Sequence, residues 1–223
     1  MSRWPGPVGA LFGLGLVVAI TLAGPLLLFN PWFTSVLQAR HDVAAALGVA
    51  PAEVDRVTTE ILGDLFLGGD FAVSLEGEGS LLDDRERSHM SDVSRLVQVL
   101  VAAAVMALVI AGVTGSWLRG ERRRQGRIMV AAAGSIGAAA FVLAVVFAVA
   151  FEPAFLAFHA VFFPPDTYLF AEGSQLIVLF PDGFWFDAAL AAGAAIIVTA
   201  LAVTLVGFSR WRSRSEDGAS DLI

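Results

Sequence analysis

Residues 96–118 read LVQVLVAAAVMALVIAGVTGSWL, residues 119–127 read RGERRRQGR, and residues 128–151 read IMVAAAGSIGAAAFVLAVVFAVAF. The two outer stretches carry no charge, and each exceeds the roughly 18 residues that a bilayer-spanning helix needs. No backbone N–H or C=O can stay unpaired in hydrocarbon, so apolar runs of this length read as helices. The connection between them holds five arginines. Short arginine-rich connections stay on the cytoplasmic side. The segment therefore reads as a helical hairpin whose tip faces inward.

Two more uncharged runs flank the hairpin, at about 8–29 and 188–208. The prediction is an all-α membrane protein: a single membrane domain over 1–223 with spans at about 8–29, 96–118, 128–151 and 188–208. Both termini lie inside, the inner loop is 119–127, and two long outer loops cover 30–95 and 152–187. The first run follows Arg3, as a signal peptide would. It is longer than the usual 7–15-residue apolar core, and Asn30-Pro31-Trp32-Phe33 follows it, so it reads as an uncleaved span. Charge agrees with this orientation. Nine of the 14 arginines fall on the inner side, Arg3, Arg210, Arg212 and Arg214 among them, and 17 of the 21 acidic residues fall in the outer loops.

Composition narrows the chemistry. Hydrophobic residues make up 57% of the 223, and the mean hydropathy of +0.76 is far above that of a soluble domain. There is no cysteine, which excludes disulfides, thiolate catalysis and cysteine-ligated metals. No phosphate-loop, HExxH or GxSxG pattern is present. The basic inner loop is explained by orientation, so no nucleic-acid partner is expected. The polar tail 213–223 reads as disordered.

In the first outer loop, residues 51–66 show helical spacing, with Val54, Val57, Ile61, Leu62 and Leu65 on one face and Pro51 and Glu53 suited to a helix start. Gly68-Gly-Asp70 and Glu76-Gly-Glu-Gly79 read as turns. Residues 83–93 run into the second span without a breaker and read as its exposed first turns, capped by Ser80 or Asp83. The second outer loop is dense in rings: residues 151–186 hold 11 of the chain's 23 aromatics. Phe155, Phe158, His159 and Phe162 make one stripe of a short helix that Pro164-Pro165 ends. Such a loop is expected to lie on or in the outer leaflet.

All three histidines, His41, His89 and His159, fall in the outer loops. His41 sits in an ordinary stretch of loop. His89 precedes the second apolar run by seven residues, about 10 Å of helix rise, and His159 follows the third by eight. Both reach headgroup and ester depth, where they form a possible acid–base pair. Glu86 and Asp92 lie three residues either side of His89 and are expected to orient it. An ionisable group in so apolar a stretch as that around His159 marks a candidate functional site. The plainer readings are a solvated helix start for His89 and an interfacial residue of an aromatic belt for His159.

Glu86-Arg-Ser-His89-Met90-Ser-Asp92-Val93 resembles an E-x-x-H-M-x-D-V signature. Phe158-His159-Ala-Val-Phe162-Phe163, then Asp166, Tyr168, Leu176-Ile177 and Pro181, resembles an F-H-x-x-F-F…D-x-W…L-I…P signature. With four spans in about 220 residues, the chain resembles the lipoprotein intramolecular transacylase family. Tyr168 stands where that pattern has Trp, and Pro165 where it has Asn. The resemblance implies a bacterial cytoplasmic-membrane enzyme with its active site on the outer face and no cofactor or metal. The implied substrate is a diacylglyceryl-cysteine lipoprotein, whose sn-2 acyl chain moves to its own N-terminal amine to give the lyso form. It further implies His89 and His159 as catalytic residues, Glu86 and Asp92 as their support, and Phe158, Phe162, Phe163, Asp166 and Tyr168 as substrate contacts, with membrane lipid around them. Two other readings remain open at this point: a non-catalytic membrane scaffold, and a metal or haem site on the same histidines.

Overall fold

A computed structural model describes residues 6–75 and 79–212. Arg3, the tail 213–223 with Arg214, and most of the expected Glu76-Gly-Glu-Gly79 turn lie outside the described residues. The elements are α1 (Pro7–Leu28), α2 (Pro31–Arg40), α3 (Val43–Leu47), α4 (Pro51–Leu67), α5 (Asp84–Trp117), α6 (Arg122–Val149), α7 (Phe151–Phe162), α8 (Gln175–Leu179) and α9 (Asp182–Arg212). Only an isolated bridge, Ser74 to Ser80, interrupts this all-helical architecture among the described residues. Four helices, α1, α5, α6 and α9, are long and apolar enough to cross a membrane. The described residues form two compact units: those within 1–23, 103–141 and 196–223 make the first, and those within 24–102 and 142–195 the second.

The first unit is a close helix bundle held by small residues and one polar bridge. A Cβ on Gly126 of α6 would fall 2.4 Å from the Gly207 carbonyl oxygen and 2.5 Å from the Trp211 nitrogen of α9, and one on Gly207 would fall 2.7 Å from the Met129 Cβ. Hydrocarbon supplies no hydrophobic drive between helices, so backbone approach at glycine is what creates the packing area. Phe12, Leu118 and Met129 fill one cluster, and Ile20, Ala133 and Ala200 another. Gln125 is buried. It donates to the Gly115 carbonyl and accepts from Arg210, so α5, α6 and α9 share one polar contact.

The second unit contains the two long connections. Asn30 caps α2 by accepting from the Phe33 N–H at 3.0 Å, and Pro31 occupies the first helical position, where its missing N–H costs nothing. Helix α4 forms where the spacing predicts it and buries Val54, Val57, Ile61, Leu62 and Leu65 against Val43, Phe71, Leu82 and Leu179. Each such side chain contributes about 1.5–3 kcal/mol of transfer free energy. Gln38 is buried between α2, α4 and α8; it donates to the Leu179 carbonyl at 3.1 Å and accepts from the Thr58 hydroxyl at 3.0 Å. The Gly68 turn is present: Gly68 (φ 80°) ends α4, and the Asp64 carboxylate receives the Phe71 N–H at 2.9 Å.

Asp83, and not Ser80, caps α5. Its carboxylate accepts from the N–H groups of Arg85 and Glu86, both at 2.8 Å, while the Glu86 carboxylate accepts from the Asp83 N–H at 2.8 Å. This reciprocal arrangement is a capping box built on aspartate. Helix α6 stops at Val149 and α7 begins at Phe151. Pro153 is the cause: in an unbroken helix it would lack the bond to Val149 and its ring would strike that carbonyl, whereas in the first turn of a new helix neither penalty arises.

Candidate active site

Helix α5 presents His89 from its polar first turns, before the apolar run that starts at Leu96, and α7 presents His159. Both belong to the second unit. Their rings lie 6.1 Å apart between centroids, inclined by 28°. Phe163 packs on both, at 5.0 Å from His89 and 5.5 Å from His159. Phe170 stands 5.5 Å from His89, and Tyr168 and Phe155 stand 5.2 and 4.2 Å from His159. Phe158 also stands 5.5 Å from His159, so five rings surround the two imidazoles.

The nitrogens are not equivalent. His159 Nδ1 lies 2.9 Å from the Phe155 carbonyl oxygen. A carbonyl only accepts, so Nδ1 carries the hydrogen and Nε2 of the neutral ring keeps its lone pair. His89 is 6% exposed, and its Nδ1 is buried without a hydrogen-bond partner among the described residues. Burial pushes the His89 pKa down to about 4; nearby His159 adds to this and Asp92 opposes it. Burial also lowers the His159 pKa, against the contrary pull of the Phe155 carbonyl. Both rings are thus neutral at neutral pH: one has a lone pair of defined direction, the other an unused buried nitrogen.

The carboxylates expected to orient His89 are placed otherwise. Glu86 is buried. Besides the Asp83 N–H, it accepts from the Ser174 hydroxyl at 2.5 Å and the Leu176 N–H at 3.0 Å. Its role is to join the start of α5 to the start of α8. Asp92 pairs with Arg95 at 3.0 Å and acts on His89 only through its charge. Phe158 and Phe162 stack on each other at 4.8 Å and are 44% and 48% exposed, on the open side of α7. Asp166 is exposed, with φ 65°. His41 is occupied elsewhere: it pairs with Asp187 at 2.9 Å beside Arg40, and its ring fills the space next to Gly183.

The family model of the lipoprotein intramolecular transacylase Lit matches residues 10–185, a stretch that contains every ring just described and every carboxylate except Asp187. The chain belongs to the Lit family. It is accordingly a lipoprotein intramolecular transacylase, an acyltransferase of multi-pass membrane type. Among solved structures, Lit from Bacillus cereus superposes with a TM-score of 0.77 at 18% identity, over 92% of this chain and 93% of that one. Two variants of the same protein, with a histidine changed to arginine and to alanine, superpose at 0.74 and 0.71, with 16% and 17% identity. The first pairs 91% of this chain with 90% of the other, and the second 92% with 90%. At such identity these likenesses concern the fold. No curated protein matches significantly.

Sequence spacing did not single out one residue of the aromatic cage, Phe170, or one just outside it, Arg85. Phe170 touches His89, and Arg85 donates to the carbonyl oxygens of Asp166 and Leu169. Arg85 lies four residues before His89, hence on the same side of the helix. That spacing was its one legible signal. The partners lie more than 80 residues away and leave no local trace. Among the described residues no three His, Asp or Glu side chains gather as a metal would require.

Proposed function

We propose that the chain transfers the sn-2 acyl group of a diacylglyceryl-cysteine lipoprotein to that molecule's own α-amino group, at the outer face of the bacterial cytoplasmic membrane. The observation that carries this reading is the caged pair His89 and His159, 6.1 Å apart and held neutral by burial. The orientation is supported by the arginine-rich stretch 119–127, which covers the turn after α5 and the first turns of α6.

In this scheme the neutral amine nitrogen attacks the ester carbonyl carbon. His159 Nε2 takes the proton that the amine gives up, and its Nδ1–H to the Phe155 carbonyl stabilises the imidazolium that results. The carbonyl oxygen becomes an oxyanion, and a neutral imidazole N–H of His89 donates to it; a donor of reach near 3 Å from each ring suffices at this separation. Collapse breaks the bond to the glyceryl oxygen, which recovers the proton from His159. An ester is lost, an amide and a free hydroxyl are gained, and no acyl donor is consumed. Phe163, Tyr168, Phe155 and Phe170 keep water from the rings. Phe158 and Phe162, open on α7, meet acyl chains and membrane lipid.

Expression in a bacterial host without N-acylated lipoproteins, followed by mass spectrometry of lipoprotein N-terminal peptides, tests the reading. The wild-type chain is expected to yield the N-acylated lyso form. His89→Ala and His159→Ala are expected to leave the diacylglyceryl form with a free amine while the protein still accumulates. Full activity in both variants sinks the histidine scheme, whereas an unchanged diacylglyceryl form with the wild-type chain favours the scaffold reading.

A further inference from the structure

Arg85 lies outside the histidine cage, yet it contacts the chain segment that builds two of its walls. One terminal nitrogen of its guanidinium donates to the Asp166 carbonyl at 2.6 Å and to the Leu169 carbonyl at 3.1 Å. The guanidinium carbon stands 5.7 Å over the Phe170 ring. Between these anchors runs a stretch whose Phe170 end also packs against the apolar core of the second unit. It leaves α7 through Pro164-Pro165, passes Asp166 in the left-handed region, and forms a tight turn in which the Thr167 hydroxyl donates to the Pro164 carbonyl at 2.8 Å. Tyr168 then faces His159 at 5.2 Å and Phe170 faces His89 at 5.5 Å. Leu169 between them is 50% exposed, so burial of that residue does not hold the stretch in place.

We propose that Arg85 is a positioning residue of the acyl-transfer site: it pins segment 166–170 at both ends, so that Tyr168 stays on His159 and Phe170 stays on His89. The chemistry of the side chain suits the task. A guanidinium offers several N–H donors in a rigid plane and an apolar face that stacks on a ring, so one residue bonds two carbonyls and covers an aromatic at once. A lysine in its place keeps the charge as a single point donor and loses the planar stack. Arg85 also sits on the first turn of the same helix as His89, four residues upstream. The cage wall and the histidine it covers are thereby referred to one rigid element.

The inference rests on the site proposed above, and its test is arranged to separate the two. Arg85 is exposed, so Arg85→Ala opens no cavity. Arg85→Ala and Arg85→Lys are compared with wild type in detergent or nanodiscs on a synthetic diacylglyceryl peptide. The alanine variant is expected to lose roughly ten- to hundredfold in kcat, the scale of a slightly misplaced site, with KM nearly unchanged. The lysine variant is expected to recover part of the loss. In parallel, modification of His89 and His159 by diethyl pyrocarbonate, followed by mass spectrometry of the peptides, is expected to quicken in the alanine variant as the wall loosens. Wild-type kcat together with unchanged imidazole reactivity in Arg85→Ala overturns the proposal and leaves the histidine scheme untouched. Should the histidine scheme itself fail, imidazole reactivity still reports whether Arg85 holds the wall.

Discussion

At the scale of single residues, the chemistry turns on how burial tunes two imidazoles. A substrate α-amino group has a pKa near 7.7–8, so the fraction able to attack falls about tenfold per pH unit below that value. An ordinary histidine base would begin to protonate near pH 6.5, and the log-rate slope would steepen there. Here both folded pKa values are depressed, that of His89 to about 4. The lone pairs consequently survive to lower pH. The expected profile of kcat/KM falls with a slope of about one from pH ~7.7 through ~6.5, and the second titration sets in only below that. A steepening at or above pH 6.5 contradicts the depressed values. The same sign governs stability. Because the folded pKa lies below the unfolded one, the unfolded chain binds the proton first. This contribution to folding is complete above about pH 6.5 and is lost as pH falls from there.

Both histidines were legible in the sequence, because an ionisable group beside an apolar run is conspicuous by itself. Their surroundings were not. The spacing of Glu86 and Asp92 suggested carboxylates aimed at His89, but the Glu86 oxygens have nearer donors at Asp83, Ser174 and Leu176. A spacing of three residues brings side chains to one helical side without deciding which neighbour each will bond. Competition from segments about 90 residues away is invisible until the fold exists.

At the scale of elements, legibility followed the strength of the local signal. The four long helices were read from length and hydropathy, α4 from its period, and α7 from its aromatic stripe. Helix α2 had a signal in Asn30-Pro31, a cap followed by a first-position proline, and the break at Ala150 had one in Pro153. Five-residue α3 and α8 had none, since a single turn gains too little from its own hydrogen bonds to leave a pattern. The contact of α6 with α9 was equally hidden, because Gly126 stands in the arginine-rich stretch that reads as a loop and Gly207 has no paired motif in its own run. Its geometry makes a sharp prediction. Gly126→Leu places a side chain inside the α9 backbone and is expected to cost about 1–3 kcal/mol or more. Gly134, on the same helix, has open space at its Cβ position, so Gly134→Leu serves as the control. Thermal unfolding of the two variants in one detergent measures the difference. Equal midpoints contradict the close crossing.

At the scale of the whole molecule, charge and chemistry separate along the long helices. Arg119 follows the end of α5 and arginines 122, 123, 124 and 127 lie in the first turns of α6, whereas His89 lies near the start of α5 and His159 in α7, beyond the end of α6. The chain offers a clean way to test the proposed orientation, since it contains no cysteine. Asp70 and Gly120 are both exposed and lie in different connections. Asp70→Cys is expected to react with a membrane-impermeant maleimide on intact spheroplasts, and Gly120→Cys only after the membrane is opened. The reverse pattern puts the histidines on the wrong side for an exported substrate. Likeness of fold to Bacillus cereus Lit at 18% identity indicates how few positions this architecture constrains.

Glu86 has a consequence of a different kind. Its bonds to Ser174 and Leu176 close a loop of 90 residues in a chain that has no sulfur–sulfur cross-link with which to do so. Everything from the start of α5 through α6 and α7 is contained in that loop. The capping carboxylate therefore acts as a reversible staple. Helix α5 cannot fray at its first turn without freeing the segment ahead of α9, and that segment cannot lift without uncapping α5. Residues far apart in the chain are thereby bound to open and close as one cooperative piece.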